Sequence, residues 1–283
     1  MYRNENSFLI NRFEPRERGR KMATTRKADD SVNGEIMSST APPTSTSTDT
    51  VIQDFWLHNL LQADAFAEWV VDEISPWLGQ RVLEVGCGIG TYTVKFAAKS
   101  QEVTAIDMER TFAEETARRV ASLSNVQIIA GDVTNTSDPL LNCEGFDSAV
   151  LLDVLEHIEL DVDLLTRLRS KLKVGGHLIV KVPAIPSLYS PMDAAIGHWR
   201  RYDKKGFVST IRRAGFEQVD VWSFNALAIL GWWWNGRIVK RTAPPAEQIA
   251  LFNVLTPLIR RVDKLARLIT GSSLIAIARR PVA

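Results

Sequence analysis

Arg81-Val82-Leu83-Glu84-Val85-Gly86-Cys87-Gly88-Ile89-Gly90 is the stretch that decides how this chain folds. The short apolar run Arg81–Val85 predicts a buried parallel strand, and its carboxyl end opens into three glycines. Glycine tolerates positive φ and lets the backbone come within van der Waals reach of a ligand. The helical pattern starting at Thr91 aims its unpaired N–H groups back at the same loop. Together these features predict a nucleotide-type pocket at the end of a first strand.

Two cofactor classes use such a loop, and spacing separates them. The dinucleotide fingerprint is Gly-x-Gly-x-x-Gly, whose third glycine allows close helix–strand packing. Here the third glycine falls one residue early, at Gly90, and Thr91 stands where that fingerprint has Gly or Ala. Glu84 puts a carboxylate at the mouth of the loop, which repels a pyrophosphate and suits a cationic ligand. The run resembles motif I of class I S-adenosylmethionine-dependent methyltransferases, whose cofactor carries an amino group and a sulfonium. That resemblance implies S-adenosyl-L-methionine as cofactor, held by Glu84, Gly86, Gly88 and Gly90.

At 283 residues the chain has room for one α/β domain and an appendage. A net charge of +1 gives no bulk attraction to a polyanion, so nucleic acid is not expected as a partner. Two cysteines, Cys87 and Cys143, make no disulfide framework and suit a reducing, cytoplasmic compartment. The polar first residues do not read as a signal peptide, and no uncharged run approaches the roughly 20 apolar residues of a membrane span. Met1–Lys27 is basic and polar, and Ser38–Thr50 is almost entirely Ser, Thr and Pro. Residues 1–50 are therefore expected to be a disordered tail ahead of a domain over 51–283, with Met22 as an alternative start.

Apolar spacing over Val51–Trp77 suits one or two helices leading into the first strand. Strand and helix patterns then alternate, as a doubly wound sheet requires. Strands are expected at Val103–Ile106, Val126–Ala130, Phe146–Leu152 and His177–Val182. Helices are expected at Phe112–Leu123, Leu160–Leu172 and Lys204–Ala214. Strands Glu217–Trp222 and Ser273–Ala278 follow, the last read as an edge or hairpin strand.

Ligands of such sheets bind outside the carboxyl ends of the strands. The second strand ends in Asp107-Met108, where an acid can accept both ribose hydroxyls. The third ends in Gly131-Asp132-Val133, where an acid and a backbone N–H can read an adenine edge. The fourth ends in Leu152-Asp153-Val154-Leu155-Glu156-His157. Taken singly, each acid is as readily a helix cap or a loop residue. In order and spacing they resemble methyltransferase motifs, which implies ribose binding at Asp107 and Met108, adenine binding at Asp132 and Val133, and methionine binding at the Leu152 backbone. Asp153–Ile158 further resembles the Val-Leu-Glu-His signature of the small-molecule branch, including ubiquinone-type O-methyltransferases. There the acid-x-x-Glu-His cluster is linked to a divalent metal, here Asp153, Glu156 and His157. One histidine with two carboxylates is a thin ligand set, and no metal is assigned. The Asp/Asn-Pro-Pro-aromatic motif of adenine and glutamine N-methyltransferases is absent, which counts against a planar nitrogen acceptor.

After the fifth strand, one loop concentrates Tyr189, His198, Arg200, Arg201 and Tyr202 as substrate-side candidates. Arginine pairs grip carboxylates or phosphates; equally, either arginine can hold the loop by pairing with Asp203 or a main-chain carbonyl. The Gly-His-x-Arg-Arg-Tyr run resembles uncharacterised methyltransferases found beside glycan or natural-product genes. Imidazole titrates near neutrality, so His157 and His198 are the candidate catalytic bases. Residues 223–271 read as a helical lid inserted between the last two strands, with Trp232-Trp233-Trp234 and then Gln248–Ile269 at helical spacing. Three consecutive tryptophans cannot share one core. The lid therefore covers the pocket with Trp232 and Trp233 on the substrate side, or meets a membrane surface or a second copy in a homodimer.

The expected fold is α/β: a Rossmann-like, seven-stranded, mostly parallel sheet with helices on both faces and a helical lid near the C-terminus. The expected function is methyl transfer to a small-molecule substrate, on an oxygen of a natural-product, glycan or lipid-like metabolite. Carbon or nitrogen transfer to an apolar or phosphorylated substrate, a non-catalytic methyltransferase-like partner protein, and a dinucleotide oxidoreductase are the alternatives.

Overall fold

The computed structural model describes residues 47–135 and 143–282, so most of the expected tail and the alternative start at Met22 lie outside the described residues. Helix α1 (Ser47–Leu61) begins four residues inside the expected tail. The Ser-Thr-Asp-Thr run that reads as low complexity is also the kind of polar sequence that starts helices. Helix α2 (Asp64–Ile74) buries Ala67, Val70, Val71 and Ile74 at the spacing of one helical face.

A seven-stranded sheet follows in the order β3-β2-β1-β4-β5-β7-β6. Strands β1 (Arg81–Val85), β2 (Glu102–Asp107), β3 (Val126–Ala130), β4 (Phe146–Leu152) and β5 (Leu172–Pro183) run parallel. Period-2 alternation splits the core. Leu83 and Val85 face one side with Leu151, Leu165, Val180 and Phe207; Val82 faces the other with Trp69, Phe96, Val150 and Ile179. Helices α5 (Asp161–Lys171) and α7 (Lys204–Arg213) cover the first side; α2, α3 (Thr93–Ala97) and α9 (Ala246–Ala266) cover the second. Helix α4 (Arg110–Arg119) packs on β2 and β3.

Two strand expectations need correction. Strand β5 begins at Leu172 rather than His177, because Leu172 already pairs with Phe146; residues 173–176 then bulge before the ladder resumes at His177. Strand β7 (Ser273–Arg279) is not an edge strand: it lies antiparallel between β5 and β6 (Glu217–Phe224). Leu274–Ala278 are buried on both faces, as an interior strand requires. The edges are β3 and β6. The lid between β6 and β7 consists of α8 (Ala228–Trp232), a π-helical stretch Trp233–Ile238, and α9.

Candidate cofactor and acceptor site

Gly86, Gly88 and Gly90 have φ of +74°, +54° and +86°. All three lie in the left-handed region where a side chain costs free energy. Space matters as well. A Cβ on Gly86 would fall 2.5 Å from Val154 Cγ2, and one on Gly88 3.0 Å from a Leu57 methyl of α1. The backbone is bare because the end of β4 and helix α1 close around it. The helix after the loop starts at Thr93 rather than Thr91, since Thr91 and Tyr92 still belong to the turn.

Asp107, at the carboxyl end of β2, is buried and holds this loop in shape. Its Oδ2 accepts the Gly88 N–H at 2.7 Å and its Oδ1 accepts the Glu109 N–H at 2.9 Å. Burial raises its pKa, against the two backbone donors. Each oxygen keeps a second lone pair, so holding the loop and accepting ribose hydroxyls are compatible. Met108, just beyond, is exposed. Glu84 is buried, with the Thr93 hydroxyl donating to Oε2 at 2.7 Å. Burial pushes its pKa up to about 8. It is a neutral acid waiting for a cation. Asp132 bends the end of β3, its Oδ1 accepting from the Thr134 N–H and hydroxyl at 2.7 Å, with Val133 half-buried beside it. Bare glycines, a carboxylate able to accept hydroxyls and an acid able to ionise suit S-adenosylmethionine.

From Leu152 the chain turns through Asp153, whose φ of +56° is strained for a non-glycine residue. Its carboxylate is engaged by buried Lys181 at 2.6 Å. That pairing removes Asp153 from the ligand set implied by resemblance. His198 takes its place: ligand atoms of Glu156, His157 and His198 lie within 4.8 Å of one another. Glu156 is fully buried and neither carboxylate oxygen has a hydrogen-bond partner. Two imidazoles and a carboxylate fit a divalent transition ion, so these three residues could hold one. As the structure stands, burial and then Asp153 raise the pKa of Glu156 well above the ordinary carboxylate range.

The two histidines meet edge to face, ring centroids 4.7 Å apart, but their environments differ. Burial, then the neighbouring His198, pushes His157 down to about 3, so it stays neutral. His198 is clamped: Nδ1 lies 3.0 Å from Asp193 Oδ1, and Nε2 lies 3.6 Å from Glu156 Oε1. Asp193 sits in helix α6 (Pro191–Ala195), whose Ser190–Asp193 capping box fixes it. Burial alone would raise its pKa, but His198 and Arg201 hold it below the usual carboxylate range.

Several substrate-side expectations need correction. Arg200 bonds Asp161 and the Glu159 carbonyl. Arg201 bonds Asp193 at 2.8 Å and the Ala184 carbonyl at 3.1 Å. Both guanidiniums hold the loop, although Asp203, the partner considered from sequence, instead caps α7. Tyr202 is a core residue, donating to Asp161 at 3.0 Å. Tyr189 stays at the rim and donates to the His198 carbonyl at 2.7 Å. The tryptophans separate. Trp232 stacks on Trp56 of α1 at 5.8 Å and covers the Arg201 guanidinium at 4.5 Å. Trp233 and Trp234 are half exposed instead of lining the site. Lys181, Asp193 and Trp56 were not singled out from sequence. Lys181 had a visible signal, as a lone cation in the apolar run Leu178–Val182, and Asp193 had another in its Ser-x-x-acid spacing.

Residues 83–178 match the family described as "Methyltransferase domain". The mitochondrial ubiquinone biosynthesis O-methyltransferase of Schizosaccharomyces pombe is 33% identical over 129 residues, covering 44% of this chain and 45% of that protein. The chain thus spans less than half the length of that relative. Among solved structures, Haemonchus contortus phosphoethanolamine N-methyltransferase 2 superposes with a TM-score of 0.53 at 15% identity, over 83% of this chain and 58% of that one. The [4+2]-cyclase SpnF superposes with a TM-score of 0.52 at 21% identity, over 78% and 82%. The sheet order, the glycine loop and the match over residues 83–178 are similar to those of class I S-adenosylmethionine-dependent methyltransferases. A cyclase on the same fold shows that architecture alone does not decide the reaction.

Proposed function

We propose that this chain transfers a methyl group from S-adenosylmethionine to an oxygen of a small, partly apolar metabolite of natural-product, glycan or lipid-like type. The observation that carries this reading is the Asp193–His198 pair, set beside a glycine loop whose Asp107 shapes it. When bound, the cofactor supplies a sulfonium methyl that is already activated. The chain's residues then have three tasks: align, exclude water, and take a proton.

Gly86–Gly90 and Asp107 hold the donor's position with Leu57 packed on Gly88, while the Trp56–Trp232 stack covers the Arg201 guanidinium. With the Nδ1–H donated to Asp193, Nε2 of His198 carries the free lone pair. It would take the acceptor hydroxyl proton, and Asp193 would offset the imidazolium charge. His157 remains neutral and walls the site. Isothermal titration should show micromolar S-adenosylmethionine binding that Asp107→Ala abolishes. His198→Ala should keep that binding and lose demethylated product with hydroxylated acceptors. An unaltered turnover in His198→Ala would remove the base from this reading, and no cofactor binding by the parent would remove the reading itself.

A further inference from the structure

Helix α9 turns its most apolar face to solvent. Leu251, Val254, Leu255, Leu258, Val262 and Leu265 recur at helical spacing, and every one is exposed, Val254 and Leu265 to 74%. At 1.5 Å per residue the stripe runs about 21 Å. The opposite face docks on the domain through Ile259 and Phe252, with several polar groups buried beside them. Asp263 accepts the Asn225 and Ala226 N–H groups, and Asn253 bonds the backbone at Gln62 and Ala65. A helix that buries polar groups and exposes leucines is built to meet another apolar phase. Trp233 and Trp234 extend the exposed apolar surface from the adjoining π-helical stretch.

The charge around this face is predominantly positive, although Arg260 pairs with Asp72 and Arg267 with Glu73 of α2. Residues 227–271 hold seven Lys/Arg against two Asp/Glu, a net +5 on a chain whose total is +1. One of the two acids, Asp263, is buried. We propose that the outer face of the lid docks onto an anionic lipid surface, lying in the headgroup layer with its leucines and tryptophans inserted. Among the described residues no helix is long and apolar enough to cross a membrane, so the contact is interfacial. A two-fold dimer through the same face would bring two net-positive patches together, with Glu247 as the one exposed acid in the segment. The lipid surface complements that charge; a second copy does not. The assignment stands independently of the methyl-transfer reading.

The test is co-sedimentation of the full-length chain with phosphatidylcholine vesicles, with and without about one third phosphatidylglycerol. Binding should require the anionic lipid, blue-shift the tryptophan emission, and weaken at high salt. Leu258→Glu with Leu265→Glu, and separately Arg261→Glu with Lys264→Glu, should each lower binding by about tenfold or more. All four positions are exposed, so the variants should keep the parent's S-adenosylhomocysteine affinity and melting temperature. Absence of binding to anionic vesicles overturns the proposal. So does a dimer in light scattering that Leu258→Glu dissociates while vesicles leave it unbound, which would identify a second copy as the occupant.

Discussion

Glu84→Gln tests the cofactor loop through pH. In the ligand-free fold, burial holds Glu84 protonated up to about pH 8, even with the Thr93 hydroxyl pulling the other way. In the unfolded chain the same group titrates at 4.5. Between those values the folded state keeps a proton that the unfolded state releases. Its contribution is therefore fully present below 4.5 and is lost as pH rises to about 8. Each unit in that window corresponds to about 1.4 kcal/mol. Going from pH 5 to pH 7 should cost the parent about 2–3 kcal/mol through this group, and the whole window about 5 kcal/mol. Glu84→Gln keeps an acceptor for Thr93 and cannot ionise, so it should gain on the parent by those amounts. Urea unfolding across this range measures the difference, in which every other titrating group cancels. Curves that stay parallel to within about 0.5 kcal/mol would refute the account. A cation at the loop also favours the ionised form, so S-adenosylmethionine should release a proton on binding near neutrality. Titration calorimetry in buffers of different ionisation heat reads that proton, and Glu84→Gln should release none through this group.

Other residues give independent checks. Gly86→Ala places a Cβ 2.5 Å from Val154 at φ +74°, and should cost about 2–3 kcal/mol in thermal unfolding along with most cofactor affinity. A wild-type melting temperature would mean the loop relaxes freely. Asp193→Asn leaves the Arg201 guanidinium buried without its counter-charge and should cost about 3–5 kcal/mol in denaturant titration. A loss under about 1 kcal/mol would assign Arg201 another anchor. His157 has a folded pKa near 3 against 6.5 unfolded, so its contribution is present above 6.5 and drains as pH falls toward 3. By pH 5 that is about 2 kcal/mol, and His157→Gln should remove this share of the acid slope.

Strands β1 to β4 were legible because each is a local apolar run followed by or ending in glycine or an acid, and β1, β3 and β4 match the expected bounds. Strand order is not a local property, which is why β7 is legible as a strand but its place is left open between an edge and a hairpin. The glycine loop and Asp107 were legible for the same local reason. For Arg200 and Arg201 the loop-holding role through a main-chain carbonyl was legible only as one of two alternatives, since their acidic partners Asp161 and Asp193 approach only after folding. The apolar period of α9 was visible, but periodicity shows that a helix has an apolar face, not what covers it. The structure leaves that face uncovered.

Where β7 sits also constrains the order in which the molecule can be assembled. Strand β6 has one hydrogen-bonded neighbour, and that neighbour is β7. During synthesis β1 to β5 can pair as soon as they emerge, leaving β5 with an open edge. Strand β6 has nowhere to go until residues 273–279 exist, and the lid strung between β6 and β7 waits with it. The Asp193–His198 pair precedes both in the chain, yet its cover by Trp232 arrives last. A chain stalled before β7 would carry the glycine loop, the Asp193–His198 pair and an exposed strand edge together.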